Sequence, residues 1–210
     1  RIFKKTVGVY HVNYLNTISL LANLYIELNE LDSSLFYSLE HIKIYEELNR
    51  TNSVEYYQSL IDLGYNYYHF EKYDDALAIL KPNINKIKNI KNNKLLLRLY
   101  HSLGSIYARI DNFNKSLDFF NMELEELKKS DVKDSTKFAK ILNGIGFNYA
   151  SLFNYELAIK SYEQAARILS KDKIKNYHLY CVILQSTAVS LSYLKLYDKS
   201  NVIFDELSSL

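Results

Sequence analysis

Apolar residues recur along this chain at helical spacing, and the helical stripes themselves recur about every forty residues. Aligned on one small residue, the chain gives Ala22, Gly64, Gly104, Gly146 and Ala188, at intervals of 42, 40, 42 and 42. Four residues before each lies Ile18, Leu60, Tyr100, Leu142 or Leu184, and three residues after each lies Tyr25, Tyr67, Tyr107, Tyr149 or Leu191. At 100° per residue these positions share one helix face with the small residue. A second stripe opens nine residues after the small site, with Leu31, Tyr73, Phe113, Tyr155 and Tyr197. It passes a second small residue at Ser34, Ala76, Ser116, Ala158 and Ser200, then reaches Leu80, Phe120, Tyr162 and Phe204 in the last four copies. Each unit therefore reads as two antiparallel helices joined by a short polar turn such as Phe70-Glu71-Lys72, with small residues permitting close approach and aromatics filling the space beside them.

These positions resemble the tetratricopeptide repeat. The signature is clearest in Leu63-Gly64-x-x-Tyr67…Tyr73-x-x-Ala76-Leu77 and in Ile145-Gly146-x-x-Tyr149…Tyr155-x-x-Ala158-Ile159…Tyr162. The family's Trp and the Pro between units are missing, and the period exceeds the usual ~34 residues by about two helical turns. Long repeats of this kind are similar to those of kinesin light chain, of the Leu-Gly-Asn repeat scaffolds and of bacterial peptide-sensing regulators of the Rap and PlcR type. The resemblance implies an all-α chain, a right-handed superhelix of about five stacked antiparallel hairpins. The expected organisation is one repeat domain over 1–210, with units at about 10–49, 52–90, 94–130, 134–171 and 176–210, and the chain reads as an excerpt of a longer one. The first and last units fit least well, which reads either as capping repeats or as units that pack onto further parts of a longer chain. Pro82, inside the second helix of the second unit, predicts a kink or break there.

The resemblance also places a concave wall on each first helix. With the small site at 0°, the residues one and four later, and three and six earlier, fall between 40° and 120°. The candidate peptide-binding residues on this shoulder are Asn16, Asn23, Gln58, Tyr65, Tyr68, Arg98, His101, Lys140, Asn143, Phe147 and Gln185, with Ile61, Ala150 and Val189 among their neighbours. The shoulder as read in this way carries no carboxylate. Amides there can pair with a peptide backbone, and the aromatics can hold apolar side chains. Arg98 and Lys140, six residues before the small site in adjacent units, are expected to share one wall and capture an acidic group.

Composition and charge narrow the function. One Pro, five Gly and 48% hydrophobic residues suit helices rather than a turn-rich β-fold. No stretch approaches the ~18 apolar residues of a membrane span. Residues 26–75 carry eleven acidic and three basic side chains, whereas 76–110 carry seven basic and no acidic ones, a solvated basic edge or a field for an anionic partner. Cys181 matches no metal-ligand spacing and reads as a buried small hydrophobe, and the absence of a disulfide framework fits a cytoplasmic setting. The five histidines are scattered, and Gly144-Ile145-Gly146 opens no phosphate loop, so no catalytic residue, metal or cofactor is expected. Only five arginines and a pI near 8.4 argue against nucleic-acid binding. The reading is a peptide- or protein-binding module, not an enzyme, serving as the sensor or regulatory part of a bacterial signalling protein, with the end repeats as surfaces for a homodimer. The alternative is a passive scaffold that docks a partner on its outer face, and a remoter one is a nucleic-acid-associated regulator.

Overall fold

The computed structural model describes residues 12–130, 134–170 and 175–209, which hold eleven α-helices and no strand. His11 and the outermost residues of the expected first, fourth and fifth units lie outside them. The helices are α1 (Val12–Glu27), α2 (Leu31–Glu47), α3 (Val54–His69), α4 (Tyr73–Leu80), α5 (Ile84–Ile90), α6 (Asn93–Arg109), α7 (Phe113–Lys129), α8 (Ser135–Ser151), α9 (Tyr155–Leu169), α10 (Tyr177–Tyr193) and α11 (Tyr197–Ser209). The chain divides into two compact units, residues up to Ile106 and residues from Tyr107 onward.

In the first unit α1 packs on α2, α2 on α3, and α3 on α4. The core there holds Tyr14, Leu15, Ile18, Ile44 and Tyr45 around the first hairpin. Pro82 does break its helix: α4 ends at Leu80, a 3-10 turn covers Lys81–Asn83, and α5 resumes at Ile84. The ring removes one backbone donor. The side chain of Asn83 donates to the Ile79 carbonyl at 2.8 Å beside the break.

In the second unit α7 packs on α8, α8 on α9, α9 on α10, and α10 on α11. One core joins Ala139, Leu142, Ala158, Tyr162, Ala165, Leu169, Tyr180, Ile183 and Leu184. The second helical stripe of the last hairpin is the exception to the sequence reading. Phe204 is 41% exposed, although its counterparts Leu80, Phe120 and Tyr162 are buried, and Tyr197 is 57% exposed where Tyr73, Phe113 and Tyr155 are half-buried. The neighbours that cover Phe120 belong to the following first helix, as the contact of its ring with Gly144 shows, and α11 has no following helix among the described residues.

The turns inside the hairpins share one backbone device. Asn29, Glu71, Asp111, Phe153 and Lys195, each seven residues after a small site, take left-handed φ values of 57°, 59°, 56°, 60° and 61°. In each, that residue's N–H donates to the carbonyl three before it, and the next N–H donates to the carbonyl five before itself, as with Glu71 to Tyr68 at 3.1 Å and Lys72 to Tyr67 at 2.8 Å. This closes the carbonyl end of the first helix. The second helix is then opened in two cases by an Asn: Asn112 accepts from the Lys115 N–H, and Asn154 from the Leu157 N–H.

The small sites sit where the alignment puts them: Gly64, Gly104, Gly146, Ala76 and Ala158 are all buried. A Cβ placed on Gly146 would stand 2.5 Å from Tyr162 Cε1, and one on Gly64 would stand 2.8 Å from Leu80 Cγ. Tyr162 is 3% exposed and Leu80 1%, so neither can swing out of the way. Gly146→Ala is therefore expected to destabilise the fold by roughly 1–3 kcal/mol of overpacking, against a gain of about 1 kcal/mol in helix propensity. Urea unfolding of the variant checks this, and wild-type stability would show that the α8/α9 contact yields.

Candidate functional site

The two compact units give the candidate wall two different characters. In the first unit its first-helix side chains are drawn into a polar network. Arg98 Nη2 donates to Asp62 Oδ1 at 2.6 Å, and Gln58 Nε2 donates to the same oxygen at 3.1 Å. The shoulder is thus not free of carboxylate. Asp62 lies two residues before Gly64, at 160° on the wheel, just beyond the wedge used to list the wall. Its pairing with Arg98 leaves that guanidinium engaged rather than open to an acidic ligand. Ile61 is another correction: it is 1% exposed, inside the core edge rather than on the wall.

Behind Asp62 lies a cavity of about 10 Å³, room for roughly one water. Its lining includes Asn23, Ser38, His41, Ser59, Asp62 and Asn66. Asn66 Nδ2 donates to Ser38 Oγ at 2.6 Å, and Ser59 Oγ lies 3.1 Å from His41 Nδ1. Burial holds the His41 imidazole below its ordinary range, and the Asp62 carboxylate pulls the other way. Tyr65 is exposed and meets the His69 ring at 4.4 Å, while Tyr68 is half-buried against Tyr73 at 5.9 Å. Asn16 and His101 are both exposed.

In the second unit part of the wall forms a groove with no charged side chain in its lining. Between α8 and α10, with the first residue of α9 at its floor, lies this groove of about 570 Å³. Phe147, Phe153, Tyr155, Tyr162, Val189 and Tyr193 give it an aromatic and aliphatic lining, and Gln185, Ser151, Ser186 and Ser190 add neutral polar atoms. Tyr155 and Tyr193 stack with centroids 4.7 Å apart and planes 3° from parallel. Phe153 stands edge-on to Tyr155 at 6.4 Å, and Phe147 edge-on to Phe113 at 6.3 Å. Burial pushes the Tyr162 hydroxyl up to about 12, with a hydrogen bond from Ser186 acting against it. Phe147, Phe153 and Tyr193 are 50%, 80% and 64% exposed, so their rings are open to solvent.

Of the sequence-derived candidates in this unit, Phe147 and Gln185 line the groove together with Ala150 and Val189. Lys140 is exposed and Asn143 half-buried, and neither is among the lining residues. Arg98 and Lys140 fall in different compact units. Four lining aromatics are not among the sequence-derived candidates. Tyr155 and Tyr162 belong to the core stripe, and Tyr193 lies five residues after its small site, outside the wedge. Phe153 carried a usable signal: it occupies the left-handed turn position that the other repeats give to Asn29, Glu71, Asp111 and Lys195, where a bulky residue is disfavoured. Cys181, read as buried, is half-buried.

Hairpins closed by this turn, with small residues at the helix contacts, define a helical-repeat architecture. The tetratricopeptide repeat family matches residues 139–168, which run from α8 through α9. No curated protein sequence matches the chain. Among solved structures it is similar to the nearly identical TPR-like repeats of a kinesin light chain candidate from Podosopora anserina, at 12% identity and a TM-score of 0.80 over 95% of each chain. It is similar to the apo form of RapI at 16% identity and a TM-score of 0.77, over 98% of this chain and 72% of that one. It also resembles a Pyrococcus horikoshii signal transduction ATPase with numerous domains that carries a tetratricopeptide repeat sensor, at 20% identity and a TM-score of 0.80, over 98% of this chain and 31% of that one. The chain has the tetratricopeptide-like fold. No helix among the described residues is long and apolar enough to cross a membrane.

The buried His41 gives the first unit a measurable pH dependence. A lowered imidazole pKa means that below its ordinary value of 6.5 the unfolded chain takes up a proton that the folded chain refuses. Stability is therefore expected to fall as pH drops below about 6.5. In His41→Gln that part of the fall should disappear, so thermal melts at pH 7 and pH 5 should differ less in the variant than in the wild type.

Proposed function

We infer that the chain binds a peptide segment of a partner, and that the aromatic groove between α8 and α10 receives one of its large apolar side chains. The observation that supports this is the groove itself: about 570 Å³, with the exposed rings of Phe147, Phe153 and Tyr193 on its walls and no charged side chain. Such rings offer rigid apolar area at small entropic cost, while Gln185 and the serines supply donors and acceptors for a peptide backbone. Recognition here is of an apolar side chain and its amides, not of an acidic group. Phe153 is held in a disfavoured backbone region with its ring exposed, which fits a role in ligand contact better than one in folding.

The chain then serves as the sensor or regulatory part of a bacterial signalling protein. The likeness in fold to a signal transduction ATPase described as carrying a tetratricopeptide repeat sensor supports that role, as does the likeness to RapI.

Selection from a random peptide library on the immobilised protein tests the proposal. The recovered peptides should share a Phe, Tyr, Trp or Leu, and Phe147→Ala or Tyr193→Ala should weaken them roughly tenfold or more, the loss expected for an aromatic contact in a binding hot spot. Both side chains are at least half exposed, so the variants should keep wild-type melting behaviour. Peptides that bind both variants as tightly as the wild type would place the binding surface elsewhere.

A further inference from the structure

A second cavity lies on another face of α8. It has a volume of about 320 Å³ and is lined by Leu124 and Lys128 of α7, Phe138 and Leu142 of α8, and Gln164, Arg167 and Ile168 of α9. On each helix these residues are three or four apart, so each helix turns one coherent face to the cavity. Phe147 and Leu142 are five residues apart on α8, which separates the two sites by about 140° around that helix.

The floor is an open edge of the core. Leu142 is buried, and Leu124 and Ile168 pack half-buried against the same cluster that holds Ala165 and Leu169. Phe138 is half-buried beside them. At the rim stand Lys128 and Arg167, both exposed. Neither forms an ion pair among the described residues, although Glu125 lies three residues before Lys128 and Glu163 four before Arg167. The lining contains no carboxylate.

Each cation lies in the last turn of its helix, where it balances the negative end of the helix dipole. That role accounts for a positive charge at each position. It does not account for two such charges sharing the rim of an apolar hollow that the core leaves uncovered. We propose that this cavity docks an acidic, apolar segment of a protein partner, with a Leu- or Phe-sized side chain on the floor and neighbouring Asp or Glu carboxylates on Lys128 and Arg167. Arg binds carboxylate through a planar fork of donors, and rim charges of this kind steer an oppositely charged partner as well as hold it. The hollow takes one or two side chains and is too small to enclose a long acyl chain.

The test uses nuclear magnetic resonance on the isotope-labelled chain with two probes: an acetylated, amidated hexapeptide of Glu, Leu and Phe, and the same peptide with every Glu replaced by Lys. The acidic peptide, at millimolar concentration, should shift the signals of Leu124, Phe138, Leu142 and Ile168, and the Lys peptide should not. Binding should weaken as salt rises, because the rim charges are exposed. The double variant Lys128→Glu, Arg167→Glu should lose roughly tenfold or more of the affinity, the scale expected when a charge-assisted contact is reversed. Phe147→Ala should leave it unchanged, which separates this site from the aromatic groove. The proposal is overturned if the acidic peptide gives no shifts at the cavity, if the Lys peptide gives the same ones, if the shifts fall only on Phe147 and Tyr193, or if charge reversal leaves the affinity intact. A melt of the double variant confirms that any loss is not unfolding.

Discussion

Everything in this structure follows from how closely two helices can approach at the residues that have almost no side chain. At Gly146 the space a Cβ would need is occupied by the Tyr162 ring, and at Gly64 by Leu80. The second helix of the hairpin is thereby seated on the backbone of the first. Small residues on the facing helix complete the contact: Ala76, Ala158, Ser116 and Ser200 are no more than 1% exposed. The large residues three positions after two other small sites, Ala22 and Gly104, stack on an aromatic of the following helix. Tyr25 on Tyr37 and Tyr107 on Phe119 are near-parallel pairs at 5.5 and 5.6 Å. Both candidate sites lie along α8, and each takes lining residues from its hairpin partner α9.

The repeat was legible because it is set by periodic, local rules. Small sites, aromatic partners, turn positions and the break at Pro82 are each read from the residue type at one offset, and five copies hold the register. The surfaces were less legible because they depend on which neighbour reaches across. A wheel angle placed Ile61 on the wall, and packing buried it. Asp62 lay 40° beyond the wedge, yet its carboxylate reaches the Arg98 guanidinium on another helix. That pairing joins residues 36 apart in sequence, and no spacing rule within one helix could give it. The groove was half legible: Phe147 and Gln185 came from the wedge, while Tyr155 and Tyr193 belong to it only because the end of α10 comes to rest beside the start of α9.

Phe153 carries the clearest link from backbone to function. Five hairpin turns use the same left-handed residue and the same pair of reversed hydrogen bonds, and none of the five uses glycine. Asn and Asp tolerate that conformation readily, and Glu and Lys leave only a flexible polar chain in solvent. A phenylalanine there gains little from folding, since its ring is 80% exposed, and it still bears the cost of the conformation. The ring instead extends the row begun by Tyr193 and Tyr155, and the turn holds it rigidly at the edge of the groove.

The two faces of α8 differ in the chemistry they present. A helix in a hairpin stack gives one stripe to the core and keeps two shoulders. On α8 one shoulder joins α10 in a groove with no charge, so selectivity there comes from shape and from what an aromatic wall excludes: a carboxylate or ammonium entering it would lose hydration and find no partner. The other shoulder joins α7 and α9 near their carbonyl ends, where each helix places a cation against its own dipole. Those cations, Lys128 and Arg167, stand at the mouth of an apolar hollow, and a neutral peptide would leave them as they are while an acidic one would pair with them. On the two proposals above, the surfaces discriminate in opposite ways while resting on the same core, and a change in one can leave the other intact.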